Sequence, residues 1–136
     1  MLNEKKISII YTARFVKDKK ALLEKFPPKH EKIFGHHSTI AFKPDSLDGI
    51  EAGKQSSLKI LARAYDHKGD ALLVENPKSK NKYPHITLSC TKDTNPNYSN
   101  ELLEHAIKSG NMEYLKTPIE IEVIEGYFDG NKDITQ

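Results

Sequence analysis

Apolar and polar positions alternate along this chain in short blocks, each about the length of one secondary-structure element. "KKISIIYTARFV" at 5–16 is rich in β-branched and aromatic residues and predicts a strand. In "KDKKALLEKF" the apolar Ala21, Leu22, Leu23 and Phe26 form a stripe, Asp18 can cap the first turn, and Pro27-Pro28 stops the run. That block predicts a short amphipathic helix. "HHSTIAFK" predicts a second strand and "PDSLDGIEAGK" a loop, by its Pro, Asp and Gly content. "SLKILARAY" and "DALLVEN" read as a hairpin turning at "DHKG", followed by the basic loop "PKSKNKYP" and the strand "HITLSC". After the loop "TKDTNPN", "SNELLEHAIKSG" predicts a helix. Ser99 is its expected cap, Leu102, Leu103, Ala106 and Ile107 face inward, and Gly110 stops it. "PIEIEVIEGYF" alternates, with Ile119, Ile121 and Val123 inside and Glu120 and Glu122 outside. "DGNKDITQ" is expected to be a loose tail.

The predicted order is β-α-β, hairpin, β-α-β, with no linker to split it, so residues 1–136 are expected to form one domain. The chain is long enough to bury a real core. Hydrophobic content of 37% and charged content of 29% fit a globular protein with a polar surface, and no apolar run is long enough to span a bilayer. A net charge of only +2 excludes a polybasic binder, so an anionic ligand needs a local cluster of donors. "MLNEKKISII" has no apolar signal-peptide core, and the single Cys90 cannot form an internal disulfide. Both features lead to the expectation of a reducing, cytoplasmic setting, and a monomer is expected.

Two stretches carry candidate chemistry. His37-Ser38-Thr39-Ile40-Ala41-Phe42 and His85-Ile86-Thr87-Leu88-Ser89-Cys90 both open a predicted strand with His-x-Thr, and the His and Thr repeat at the same offset. Side chains alternate faces along a strand. In the second stretch Ile86, Leu88 and Cys90 share the core face and leave His85, Thr87 and Ser89 on the other. In the first, Ile40 and Phe42 are the expected core residues, so His37 and Thr39 lie opposite. His37, not His36, therefore matches His85. Histidine titrates near neutrality, so two imidazoles can serve as base and acid in one turnover. Threonine hydroxyls suit phosphate oxygens. Two such strands side by side make a complete metal-free site for phosphodiester cleavage, and the duplication sets them apart from a lone His-x-Thr, which is usually an ordinary surface residue.

Around the motifs, Lys82 and Tyr83 in "SKNKYPH", with Lys43 after the first motif, could steer a polyanion or stack on a base. The competing reading is a solvated loop. Tyr11 and Tyr127 are candidates for a groove wall, with core packing favoured. His36, His37 and His85 lack the spacing and nearby carboxylate of a metal site, so no metal is expected. His30, His67 and His105 are expected in solvent and Cys90 as a buried thiol. There is no Gly-rich phosphate loop, and no cofactor is expected.

These paired motifs resemble the 2H phosphoesterase superfamily. "HHSTIAFKP" and "SKNKYPHITLS", with the Asn-containing helix start, look most like the cyclic phosphodiesterase domain of plant and fungal tRNA ligases and related RNA-repair proteins. The resemblance runs from about residue 6 to about residue 128. It implies a two-lobed α+β fold, with antiparallel sheets related by a pseudo-twofold around a central groove. It also implies metal-independent hydrolysis of a 2′,3′-cyclic phosphate on a nucleotide or RNA end. On that resemblance His37 and His85 are catalytic, and Thr39 and Thr87 bind phosphate. Two other functions compete: hydrolysis of a cyclic nucleotide or oligonucleotide signal, as in phage counter-defence proteins, and binding of RNA ends without cleavage. A second imidazole argues against mere binding, which has no use for it.

Overall fold

The computed structural model describes residues 8–136, so the start of the first predicted strand, at 5–7, lies outside the described residues. Strand β1 (Tyr11–Val16) runs antiparallel to a 16-residue strand near the C-terminus, from Tyr11 opposite Phe128 to Val16 opposite Val123. That one ladder closes the sheet on itself. In chain order the remaining elements are α1 (Lys19–Lys25), β2 (Lys32–Ile33), β3 (His37–Phe42), β4 (Gln55–Tyr65), β5 (Gly69–Glu75), β6 (His85–Cys90), α2 (Tyr98–Ser109), the long strand β7 (Glu113–Phe128) and β8 (Asp133–Ile134). Neighbours follow the order β1, β3, β6, β5, β4, β7 and back to β1, every pair antiparallel. The result is a six-stranded closed barrel, with β2 beside β6 and β8 beside β7.

The predicted order of elements holds, but the expected two-lobed α+β fold, with pseudo-twofold-related sheets and a central groove, does not. The chain is mostly β, with helices of only 7 and 12 residues. The reason lies in β7. Its alternation is legible from Ile119 onward, yet the strand begins six residues earlier and carries Pro118 within it. Proline is tolerated there because the β4–β7 register jumps, from Ile60 opposite Ile119 to Ala62 opposite Tyr114, so a bulge absorbs the missing N–H. Thus extended, β7 reaches β4 on one edge and β1 on the other. Val123 pairs with both Val16 and Ser56, joining the two halves of the chain.

Two apolar clusters follow from the strand faces. Leu58, Ile60, Leu72, Val74, Ile86, Leu88 and Val123 pack with Leu22 of α1 and with Phe26 at its C-cap. Ala62, Ala64 and Ala71 are small enough to let α2 pack close with Leu102, Leu103 and Ala106. Asp18 caps α1 by accepting from the Ala21 N–H at 3.0 Å, and Gly110 ends α2 at φ 77°, both as expected. Cys90 is buried as expected. Phe42 is not a core residue: at the end of β3 it is 66% exposed. His30 is not a solvent residue either, because its Nε2 lies 2.8 Å from the Asp66 carbonyl across the hairpin turn. No helix among the described residues is long and apolar enough to cross a membrane.

The expected loose tail is ordered. Ile134 pairs with Tyr127 and Asp133 with Phe128, after a turn in which Asp129 Oδ1 accepts from the N–H groups of Asn131 and Lys132 at 2.8 Å each. Gly126 permits this return, because a Cβ at that position would collide with the Ile134 carbonyl.

Candidate active site

β3 and β6 are direct neighbours, paired at Ser38 opposite Ile86. Ser38 and Ile86 are fully buried, so the alternate residues His37, Thr39, His85 and Thr87 share the opposite face of the two strands. The strands run antiparallel, so His37 lies toward the Thr87 end and Thr39 toward the His85 end. Both His-x-Thr motifs are thereby brought onto one patch. Their shared face rests on polar support as well as on packing: Asn76 Nδ2 donates to Ser38 Oγ at 3.1 Å, and Ser89 Oγ donates to the buried Asp70 at 2.8 Å.

Each imidazole is held through Nδ1. His85 Nδ1 lies 2.8 Å from the Tyr83 carbonyl, an acceptor only, so Nδ1 carries the proton. His37 Nδ1 lies 2.8 Å from His36 Nδ1, and His36 Nε2 lies 2.7 Å from Asp133 Oδ2. Tyr11 stacks on the His37 ring at 4.5 Å and 18°, with Phe128 behind it at 5.3 Å. Tyr11 thus walls the site rather than only packing in the core. Among the described residues neither His37 Nε2 nor His85 Nε2 has a protein hydrogen-bond partner, and the two nitrogens remain for chemistry.

Thr87 Oγ1 is 2.7 Å from Ser99 Oγ and 3.4 Å from the Pro96 carbonyl. Ser99 therefore does not cap α2. The cap position is Asn97, whose side chain accepts from the Asn100 amide and caps no backbone N–H, and Ser99 sits buried in the first turn, orienting the Thr87 hydroxyl. Tyr83 contributes its carbonyl to His85 and packs its ring against the α2 cluster. Lys82 stands out into solvent, with its ammonium 5.3 Å from the Tyr83 ring centre and 3.5 Å from Glu104. The structure does not bring Lys43 to the patch. It follows β3 at its far end, about 13 Å along the strand from Thr39, with its ammonium over Phe42. A cleft of about 270 Å³ near Ala41, Pro44, Asp45 and Lys80 also lies on that far side and contains none of the histidines. Among the described residues no group of three or more His, Cys, Asp or Glu side chains is arranged to hold a metal ion.

Burial is the main reason that His37 is held well below its ordinary 6.5, at about 3, with His36 and His85 adding repulsion. Burial also lowers His85, against an upward pull from the Tyr83 carbonyl. For His37 the consequence is linked to stability. Below pH 6.5 the unfolded chain takes up a proton that the folded ring refuses, so stability is complete above that value and falls as the pH drops toward 3. Each pH unit costs about 1.4 kcal/mol for one such group. Urea titrations at pH 6.5 and 4.5 should therefore show the unmodified protein losing about 2–3 kcal/mol more than His37→Asn. Equal losses would mean that the ring titrates normally.

With the paired motifs on one face, the comparison with known families becomes specific. The family of the fungal tRNA ligase phosphodiesterase domain matches residues 17–127. The chain belongs to this family. No curated protein matches it closely enough to be counted a relative. Membership in the tRNA ligase phosphodiesterase family places the chain among cyclic phosphodiesterases of RNA processing and repair. The matched residues include both His-x-Thr motifs, whereas Tyr11 and Asp133 fall outside them.

Proposed function

We propose that the protein hydrolyses a 2′,3′-cyclic phosphate on a nucleotide or RNA end without a metal, using His37 and His85 as a base–acid pair. The observation that carries this reading is the placement of the two His-x-Thr motifs on adjacent antiparallel strands, each imidazole tied at Nδ1 and open at Nε2.

His37, held neutral, takes a proton from water through Nε2 while the water oxygen bonds to phosphorus. The bond from phosphorus to one ribose oxygen breaks, and protonated His85 gives its Nε2 proton to that oxygen. Burial lowers His85, and the Tyr83 carbonyl offsets part of that by accepting from Nδ1–H, which leaves Nε2 to carry and deliver the second proton. Thr39 and Thr87 hold the phosphoryl oxygens as negative charge grows on them. Tyr83 and Lys82 border the patch where a base and the next phosphate would lie.

Chromatography of 2′,3′-cyclic AMP incubated with the protein in EDTA tests this directly. A single monophosphate product is expected, and its isomer identifies the leaving oxygen. Dependence on added divalent metal would overturn the metal-free mechanism. Cleavage only of a 3′,5′-linked cyclic nucleotide would replace the substrate.

A further inference from the structure

The contact between His36 and His37 joins two nitrogens of the same kind, Nδ1 to Nδ1, at 2.8 Å. Such a pair is a hydrogen bond only if one ring carries the proton there and the other does not. The far side of His36 decides which. Asp133 Oδ2, 2.7 Å from His36 Nε2, is a carboxylate and accepts only, so His36 Nε2 carries a proton. A neutral His36 then has a bare Nδ1, and His37 must donate to it from its own Nδ1. His37 Nε2 is left unprotonated, which is the form a base requires.

We propose that Asp133 and His36 are positioning residues that lock His37 in its Nδ1-protonated tautomer. The inference rests on the reading of His37 as a base. Free imidazole side chains do not have this lock, and His85 reaches the same tautomer by a different route, through the Tyr83 carbonyl. When His37 accepts a proton at Nε2, its new positive charge faces Asp133 through the intervening ring. When instead His36 gains a proton at Nδ1, the direction reverses. His36 then donates, His37 shifts its proton to Nε2, and the base is lost.

The surrounding groups are few. β1 supplies the Phe15 ring, 5.3 Å from the His36 ring, and Tyr11, which stacks on His37 with its hydroxyl 3.5 Å from the same His37 Nδ1, where it can accept a share of that proton beside the shorter contact to His36. β6 supplies His85, whose charge lowers His37. β8 supplies Asp133, whose charge adds to burial, the larger cause, in raising the Tyr11 hydroxyl. Arg14 of β1 is engaged by Glu125. The carboxylate is delivered by the ordered tail, and the His36 and Asp133 side chains remain 40% and 35% exposed, so the outer end of the relay senses solvent.

Long-range proton–nitrogen correlation spectra of ¹⁵N-histidine-labelled protein read the tautomer without any substrate. His37 should appear with Nδ1 protonated and Nε2 bare. Asp133→Asn can present its amide N–H to His36 Nε2, which reverses the relay, so His37 should shift to Nε2–H. In parallel, kcat should fall about 10- to 100-fold with KM changed less than about threefold, since the phosphate contacts are untouched. His36→Asn supplies an amide oxygen as acceptor for His37 Nδ1–H. It should keep most of the activity and make Asp133→Asn silent in the double variant. A wild-type His37 with Nε2 protonated, or an Asp133→Asn penalty that persists in His36→Asn, would overturn the proposal. A correct tautomer in a protein that cleaves no cyclic phosphate would instead reject the proposed reaction and leave the relay standing.

Discussion

His85→Ala is expected to lower kcat for 2′,3′-cyclic AMP by about 10²- to 10⁴-fold, with the barrel intact. His85 sits at the start of β6 with 9% of its surface exposed, its Nδ1 tied to the Tyr83 carbonyl and its Nε2 without a protein partner. On the proposed mechanism truncation removes the acid and leaves the hydroxyls of Thr39 and Thr87 in place to meet the phosphate, so KM should move much less than kcat. His85 opens its strand and belongs to neither apolar cluster, so the melting temperature should change little beside the loss of rate. Steady-state kinetics and a thermal melt on the same preparation separate the two effects. Residual kcat within tenfold of the parent would remove His85 from the proton transfers. A binding module would have no turnover to lose in the first place.

Glu125→Ala is expected to cost about 3–5 kcal/mol of folding stability, the largest effect anticipated away from the site. The carboxylate is fully buried. Burial alone would push its pKa up. The Glu51 N–H at 2.8 Å, Lys78 Nζ at 2.8 Å and Arg14 Nε at 3.4 Å outweigh that and hold it below the usual value. Alanine strands all three donors. Lys78 is 30% exposed and recovers some hydration, whereas Arg14 at 11% recovers little. Glu125→Gln keeps an acceptor for the Glu51 N–H and should cost less than alanine. Because the folded carboxyl is the more acidic one, this contribution is complete above the unfolded value and disappears as the pH falls through the folded value. Urea denaturation at neutral pH measures both variants. A loss below 1 kcal/mol for the alanine would show that the loop around Glu51 does not depend on this anchor.

The two imidazoles were legible in the chain because a strand's twofold periodicity is strict. Ile86 and Leu88 on one side require His85 and Thr87 on the other, and the same rule selects His37. Ile40 suffices for that selection, although its partner Phe42 turned out exposed. The barrel was not legible, because closure depends on which strand edges meet. Nothing in the pattern of "NMEYLKTP" marks a strand that tolerates Pro118 at a bulge. Glu125 was within reach: continuing the alternation from Val123 puts it on the buried face, and a carboxylate there demands partners. Asp133 carried no signal of its own. Its place depends on Gly126 letting the chain return over β7, a close approach that only the three-dimensional register reveals. Ser99 satisfied the preference for a helix cap but serves the neighbouring strand, one of many cases in which a hydroxyl at a helix start has two possible clients.

The closing ladder between β1 and β7 also sets a timetable. Residues 11–16 are made about a hundred residues before their partners at 123–128, so during synthesis β1 waits with one edge unpaired until β7 emerges. An open strand edge is a template for pairing with another chain, and contacts this distant in sequence make for slow folding. Nascent or refolding protein should consequently pass through a stage in which neighbouring molecules compete with β7 for β1. Yield should therefore fall with concentration during refolding, even under conditions where the finished barrel is stable.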